Sequence, residues 1–348
     1  MNTQTLFKLM MLVVVLSLSA CGGAQTTETP VAQEAPSGVA QEIGIKFKTV
    51  DNQRLASVEL DLTGVGPAGD GKMYAVWLVD DQQQPTFIGP ASSGQTFVYT
   101  DPAGENLIGK ISATWVSVET ESDIQAATQG EPTAETWRAS RIPPAIISQV
   151  RLMVVKADDT PAQMPYDPGL KQQSIIAAEH GQLTLDAIKD SNLKVGQQHI
   201  EHVLNTLNGE ASPKFGDING DGKVENPGDG YGVWPYAAKV ADIADQVAAT
   251  ADLPALVHEA AVTMGACARK FPATWGPQAS EHAQAILDAA DAAAAEPAAL
   301  ALVEILNQMS EGVDANNNGA VELVEAECGA NQIYQISHGL FEIPLTVR

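Results

Sequence analysis

Two segments of the chain place oxygen-bearing side chains at alternate positions around a glycine. From Asp314 to Glu325, oxygens occur at the first, third, fifth, ninth and twelfth residues, with glycine at the sixth. Alternate residues of a tight loop can converge on one point, and a hard dication prefers about six to eight oxygen ligands. The segment predicts a calcium site formed by Asp314, Asn316, Asn318, the carbonyl of Ala320, Glu322 and Glu325.

This spacing resembles the calcium loop of EF-hand proteins. The other segment matches the pattern over its first nine residues, but its twelfth residue is Gly228, and an acidic residue follows. It is therefore similar to a dockerin-like or lengthened EF-hand loop. The resemblance implies a second calcium ion, held by Asp217, Asn219, Asp221, the carbonyl of Lys223, Glu225 and either Asp229 or water.

We name residues 217–229 loop 1 and residues 314–325 loop 2. Helical patterns flank loop 2 over residues 298–309 and 323–337, which would put Glu325 in the first turn of a helix. EF-hands usually meet in pairs that share backbone hydrogen bonds at the eighth position, so Val224 and Val321 are predicted to lie side by side. The small number of charged ligands predicts calcium dissociation constants of roughly 0.1 to 1 mM.

Histidines form a second candidate site. Residues 174–189 and 194–207 predict an antiparallel helix hairpin with its turn near residues 190–192. His180 and His202 lie equally far from this turn, and His199 lies one helical turn from His202, so the three can face one another. Facing helices build transition-metal and haem sites in this way. The alternative is a set of ordinary surface or hydrogen-bonded histidines.

Cys267 and Cys328 are the two cysteines outside the N-terminal segment. In an exported protein they can form a disulfide. It would join one of the helices predicted between loops 1 and 2 to the segment after loop 2. The alternative is a pair of buried apolar thiols.

The N-terminal residues 1–20 are typical of an export signal. Lys8 is followed by the apolar run 9–18 and by small residues before Cys21. The pattern resembles the lipobox of bacterial lipoproteins, which implies cleavage before Cys21, lipid on its sulfur and attachment to a membrane. An ordinary secretory signal is the alternative. Residues 21–42 predict a flexible linker, so the folded body is expected on the extracytoplasmic side of the cell envelope, at a membrane that the sequence does not identify.

The first folded region, residues 43–157, is predicted to be an all-β sandwich. Alternating apolar residues indicate strands over residues 43–50, 55–62, 73–79, 96–99, 111–118 and 146–155. The stretch 55–120, centred on Tyr74, Trp77, Leu78 and Val79, is similar to the extracytoplasmic domain of anti-sigma-K factors. The cytoplasmic zinc domain of that family has no counterpart in this sequence, so sigma-factor control is not implied.

The second region, residues 165–348, is predicted to be an all-α domain that carries both loops. Its inserted helices are expected over residues 236–250, 253–269, 280–295 and 298–309. The fold class is therefore two-domain, with a β-sandwich followed by helices.

Charge and composition narrow the function. Lys and Arg number 19 against 43 Asp and Glu, a net charge of -24, which argues against nucleic-acid binding by phosphate neutralisation. The β region has no paired nucleophile and base, so no enzymatic activity is predicted. We expect a lipid-anchored calcium-binding protein that acts as a binding or scaffold module for an unidentified protein or small molecule. The alternative is an envelope metalloprotein or haem-containing redox protein that uses the histidines.

Overall fold

The fold consists of β-sheets followed by helices, as the sequence predicts. A computed structural model describes residues 42–50, 54–127 and 136–347. Residues Ala40–Arg348 belong to one compact unit, and buried side chains of the sheets and the helices form one continuous core. The signal peptide, Cys21 and most of the linker lie outside the described residues. The position of the domain boundary, expected between residues 157 and 165, stays a prediction.

The strands of the described residues form two antiparallel sheets. One has the order β1-β2-β5 and the other β4-β3-β6-β7-β8. Their bounds are β1 Gly44–Val50, β2 Arg54–Asp61, β3 Lys72–Val79, β4 Pro85–Ala91, β5 Thr96–Thr100, β6 Ala113–Thr120, β7 Thr136–Arg141 and β8 Thr346–Val347. Strand β4 was not expected because it contains two prolines, which a strand tolerates at a sheet edge.

Strand β3 is buried on both faces. Tyr74, Val76 and Leu78 belong to the main core, whereas Ala75 and Trp77 form a smaller cluster on the opposite face. The Trp77 indole N–H donates to Ser117 Oγ at 3.0 Å, which satisfies its one polar atom. The bulk that the sequence shows at every position of this strand therefore reflects packing on two sides.

The predicted strand over residues 146–155 is wrong, because this segment is the helix α2, Ile147–Val154. Its buried residues, Ile146, Val150, Met153 and Val154, follow helical spacing. Apolar residues next to them in sequence gave the segment its strand-like appearance.

Helices make up most of the chain after α2, and one further helix, α1, lies between β6 and β7. Their bounds are α1 Glu121–Ala127, α3 Tyr166–Lys189, α4 Leu193–Asn208, α5 Val233–Ala248, α6 Ala255–Lys270, α7 Gly276–Leu287, α8 Ala292–Glu311 and α9 Ala330–Ser337. The predicted helix over residues 280–295 is divided in two. Asp291 caps α8 by accepting a hydrogen bond from Ala294 N at 2.9 Å, so a new helix begins there.

The hairpin of α3 and α4 is confirmed. Ser191 adopts a left-handed conformation with φ of 60°, and Asn192 Oδ1 caps α4 by accepting from Val195 N at 3.3 Å. Close packing of α8 against α3 depends on Gly181, where an added Cβ would lie 2.5 Å from Leu306 Cδ1. The hairpin is thus held in register by its own turn and by a third helix.

Two long-range connections close the fold. A disulfide joins Cys267 of α6 to Cys328, with the Cα atoms 5.8 Å apart. At the other end, Ile43 and Leu345 exchange backbone hydrogen bonds of 3.2 and 2.9 Å, and β8 pairs with β7. None of the described helices is long and apolar enough to cross a membrane.

Candidate metal centres

Helices α3 and α4 bring His180, His199 and His202 together, as the hairpin predicted. His180 Nδ1 lies 3.1 Å from His199 Nδ1 and 3.1 Å from His202 Nδ1. One ring nitrogen from each residue falls within 4.8 Å of the others, and all three side chains are half-buried. We name these residues the histidine cluster, which can hold a metal ion.

The two distances from His180 Nδ1 are close to those between metal ligands. For Zn–N bonds of about 2.0–2.1 Å in a tetrahedral shell, two ligand nitrogens are separated by about 3.3 Å. Hydrogen bonding alone does not satisfy the cluster, because a neutral imidazole Nδ1 carries either one proton or one lone pair. His180 Nδ1 therefore cannot form two full hydrogen bonds to its neighbours, whereas one cation can accept all three lone pairs.

A carboxylate supports the cluster from behind. Glu225 Oε2 lies 3.3 Å from His202 Nε2 and accepts a hydrogen bond of 2.7 Å from Gln198 Nε2. A proton held on Nε2 by this carboxylate leaves the Nδ1 lone pair of His202 facing the cluster. Metal-binding histidines generally have such a partner on their other nitrogen.

The electrostatic surroundings favour neutral imidazoles. Burial, followed by repulsion from His202 and His199, lowers the pKa of His180 to about 4. Burial also lowers the pKa of His199, with a smaller contribution in the same direction from His202. Neutral imidazole is the form that binds metals, so these ligands are available at neutral pH.

Loop 1 has an internal network of hydrogen bonds centred on Asp217. Its two carboxylate oxygens accept from Asp221 N at 3.0 Å and from Gly222 N at 2.9 Å. Asn219 Oδ1 accepts from Asp221 N, and Asp221 Oδ1 accepts from Lys223 N, both at 2.9 Å. Gly222, at the sixth position, has φ of +88°. The ligand side chains predicted at positions 1, 3 and 5 thus fold over one turn.

Loop 2 repeats this network. Asp314 accepts from Asn318 N at 3.0 Å and from Gly319 N at 2.8 Å. Asn316 Oδ1 accepts from Asn318 N at 3.0 Å, and Asn318 Oδ1 accepts from Ala320 N at 2.9 Å. Gly319 also has φ of +88°. The two loops share their residue types at positions 1, 3, 6, 8 and 9 and differ at the others, and they fold into the same turn.

Each loop is closed by a buried glutamate that was not predicted. Glu201 of α4, which is 0 % exposed, accepts from Ile218 N, Asn219 N and Glu225 N at 2.9, 3.1 and 2.8 Å. In loop 2, Glu327 is 1 % exposed and accepts from Asn316 N at 3.3 Å and from Glu322 N at 2.7 Å. Both carboxylates thus bind the N–H groups of positions 3 and 9. Within the described chain, neither forms an ion pair with a basic side chain.

The two residues predicted to complete the calcium shells, Glu325 and Asp229, differ in their surroundings. Glu325 is exposed, and α9 begins only at Ala330, so the predicted helix over residues 323–337 starts too early. The carboxylate of Asp229 accepts from Tyr231 N at 2.9 Å and from Tyr236 Oη at 2.7 Å. The buried carboxylates that hold the loops therefore come from a helix and from position 14, and the ligand roles of Glu325 and Asp229 stay predictions.

The glutamates at position 9 point in different directions. Glu322 stays over loop 2, where its carboxylate accepts from the side-chain amides of Asn316 and Asn318, both at 3.1 Å. Glu225 instead faces the histidine cluster. The predicted pairing of the loops at position 8 is absent, because among the described residues no backbone hydrogen bond joins Val224 to Val321, and Val224 is 54 % exposed. Each loop is anchored to its own neighbouring segments.

One signal for Glu201 was present in the sequence. Adjacent residues on a helix diverge by about 100°, so Glu201 and His202 need not serve the same site. With His202 in the histidine cluster, Glu201 was free to take another partner, which in the structure is loop 1. No signal of this kind identifies Glu327.

Compared with protein-family models, curated proteins and solved structures, this chain has no match. Its function is therefore inferred from its own residues.

Proposed function

We propose that this protein is a lipid-anchored, extracytoplasmic metal-binding protein. The histidine cluster binds one transition-metal ion, and loops 1 and 2 bind calcium, which stiffens the helical part of the fold. The convergence of three ring nitrogens, with Glu225 behind one of them, carries this proposal. It combines the calcium-binding scaffold expected from the loops with the metalloprotein expected from the histidines.

The spacing of the nitrogens favours a bare ion over haem. Axial histidines of a haem approach the iron from opposite faces, so the metal and the ring lie between them. In the histidine cluster, His180 Nδ1 is in direct contact with Nδ1 of both neighbours at 3.1 Å. An ion that accepts three lone pairs from one side fits this arrangement.

Calcium is supported by the shared geometry of the loops. Both collect their oxygens around a turn with glycine at position 6, and both bury a glutamate without a basic partner. Burying a carboxylate is costly unless a cation or strong hydrogen bonds compensate it. A hard dication bound by Asp217 and Asp221 in loop 1, or by Asp314 in loop 2, supplies that charge.

Titration with cobalt tests the histidine cluster. Co²⁺ is an absorbing probe for sites that bind zinc, so full-length protein, freed of metals by chelation, should bind one equivalent. His202→Ala should abolish this binding, because only two histidines remain as ligands. The contact between the cluster and the Glu225 carboxylate is also lost. The matched control is His258→Ala, which removes an exposed histidine of α6. Equal binding by both variants would refute the site.

Fractionation of cells tests the anchor. The protein should be found in the membrane fraction and should leave it when Cys21→Ala removes the sulfur that carries the lipid. Cys328→Ala, which changes a cysteine of the folded body, should stay with the membrane. Release of neither variant would show that Cys21 does not attach the protein.

A further inference from the structure

We propose that loop 1 and the histidine cluster share Glu225, so that calcium bound in loop 1 weakens transition-metal binding by the histidines. This inference rests on the proposed function, since it requires both sites to bind their ions. It concerns how one site regulates the other.

One face of α4 contacts both sites. Gln198, Glu201, His202 and Asn205 follow the helical spacing i, i+3, i+4 and i+7. Gln198 and His202 contact the Glu225 carboxylate, while Glu201 accepts from Glu225 N. Asn205 Nδ2 donates to Gly216 O, just before loop 1, and to Glu225 O, at its ninth position, both at 2.9 Å. The end of loop 1 is therefore fixed on the helix that carries two of the three histidines.

The backbone of Glu225 is held on both sides, so its side chain is the part that can move. At position 9 of a calcium loop, an acidic side chain binds the ion directly or through water. Loop 2 shows the inward arrangement, in which Glu322 stays over the turn and no histidine competes for it. In loop 1 the same position faces His202. Glu225 thus has two alternative partners, and it contacts the histidine in the structure described.

Calcium in loop 1 would weaken transition-metal binding by the histidine cluster in two ways. If Glu225 turns toward the ion in loop 1, His202 loses the carboxylate behind Nε2, and loss of such a partner typically weakens metal binding about 10- to 100-fold. The positive charge of calcium also opposes a second cation nearby. By linkage, a transition metal in the histidine cluster must weaken calcium binding at loop 1 by the same factor.

Cobalt titrations at two calcium levels test this coupling. Full-length protein is titrated with Co²⁺ in calcium-free buffer and again in about 10 mM Ca²⁺, well above the affinity range expected for such loops. We expect at least tenfold weaker Co²⁺ binding with calcium. Glu225→Gln should bind Co²⁺ about 10- to 100-fold more weakly without calcium, and calcium should weaken its Co²⁺ binding less than in wild type, because only the charge repulsion remains. Glu281→Gln, an exposed change on α7, should keep the full calcium response.

The outcomes separate this inference from the proposed function. Absence of Co²⁺ binding in calcium-free buffer would refute both. Co²⁺ binding that is equal or tighter in calcium would overturn the coupling and leave the metal site intact, as would a Glu225→Gln variant that keeps the full calcium response. Calorimetry with calcium alone on the same sample shows whether the loops are filled, and a protein that takes up no calcium also overturns the coupling.

Discussion

Loops 1 and 2 form the same turn but serve different surroundings. Each has the same hydrogen bonds from positions 1, 3 and 5 and a buried glutamate on the N–H groups of positions 3 and 9. They differ in what holds them. Glu201 and Asn205 attach loop 1 to α4, beside the histidine cluster, whereas loop 2 is followed directly by the Cys267–Cys328 disulfide. The two loops therefore share one local structure. Their neighbours differ, because loop 1 lies beside the histidine cluster and loop 2 lies beside the disulfide.

The disulfide provides the strongest test of this comparison. In a chain-entropy estimate, a bridge across 61 residues contributes about 4 kcal/mol to the free energy of unfolding. The double variant Cys267→Ala, Cys328→Ala should lose about this much in denaturant unfolding and should bind calcium more weakly at loop 2 than at loop 1. Wild-type protein treated with reductant should behave in the same way. Equal weakening of both loops would show that they do not depend on separate anchors.

The buried glutamates provide the next largest effect. Glu201→Gln should weaken calcium binding at loop 1, and Glu327→Gln at loop 2, each by about 1.5 to 3 kcal/mol, because a charged acceptor of two or three backbone N–H groups is lost. Calorimetric titration should show one of two binding events reduced in each variant. Glu325→Gln is the matched control, since its side chain is exposed. A loss of binding in Glu325→Gln would restore the sequence-based ligand assignment.

Acidification should lower the free energy of unfolding through the histidine cluster, which lies beside loop 1. This is the smallest of the expected effects. The pKa of His180 is lowered to about 4, so the unfolded chain takes up this proton before the folded one does. The stability that comes from the neutral imidazole is complete above about pH 6.5 and is lost as the pH falls through 4. Between pH 7 and 4, the free energy of unfolding measured with denaturant should decline less steeply in His180→Asn than in wild type. His258→Asn should follow the wild-type curve, and identical curves for all three would contradict the lowered pKa.

Sequence spacing predicted those parts of the sites that are local. The turns of loops 1 and 2 follow from residues within nine positions of one another, and the approach of His180 to His202 follows from one hairpin. The order of β-sheet and helices followed from apolar periodicity, although residues 146–155 formed a helix because burial of every third or fourth residue decided their structure. Local chemistry was therefore readable along the chain.

Contacts that depend on a third segment were not predictable. Nothing in loop 1 indicates that its closing carboxylate comes from α4, and nothing in Asp229 shows that Tyr231 and Tyr236 occupy its oxygens. The pairing of Val224 with Val321 failed for the same reason, because loop 1 is held by α4 and loop 2 by the segment that follows it. The disulfide could be predicted only in part. Two cysteines allow one bridge, but the sequence did not show whether they form it.

The meeting of Ile43 with Leu345 has a mechanical consequence. Tension applied through a lipid anchor would enter the folded body at its first strand, next to which Ile43 is hydrogen-bonded to Leu345. Load is thereby passed to the last residues and through β8 to β7 rather than to one strand alone. Removal of residues 345–347 would leave the first strand easier to peel away, because its bridge to Leu345 would be lost.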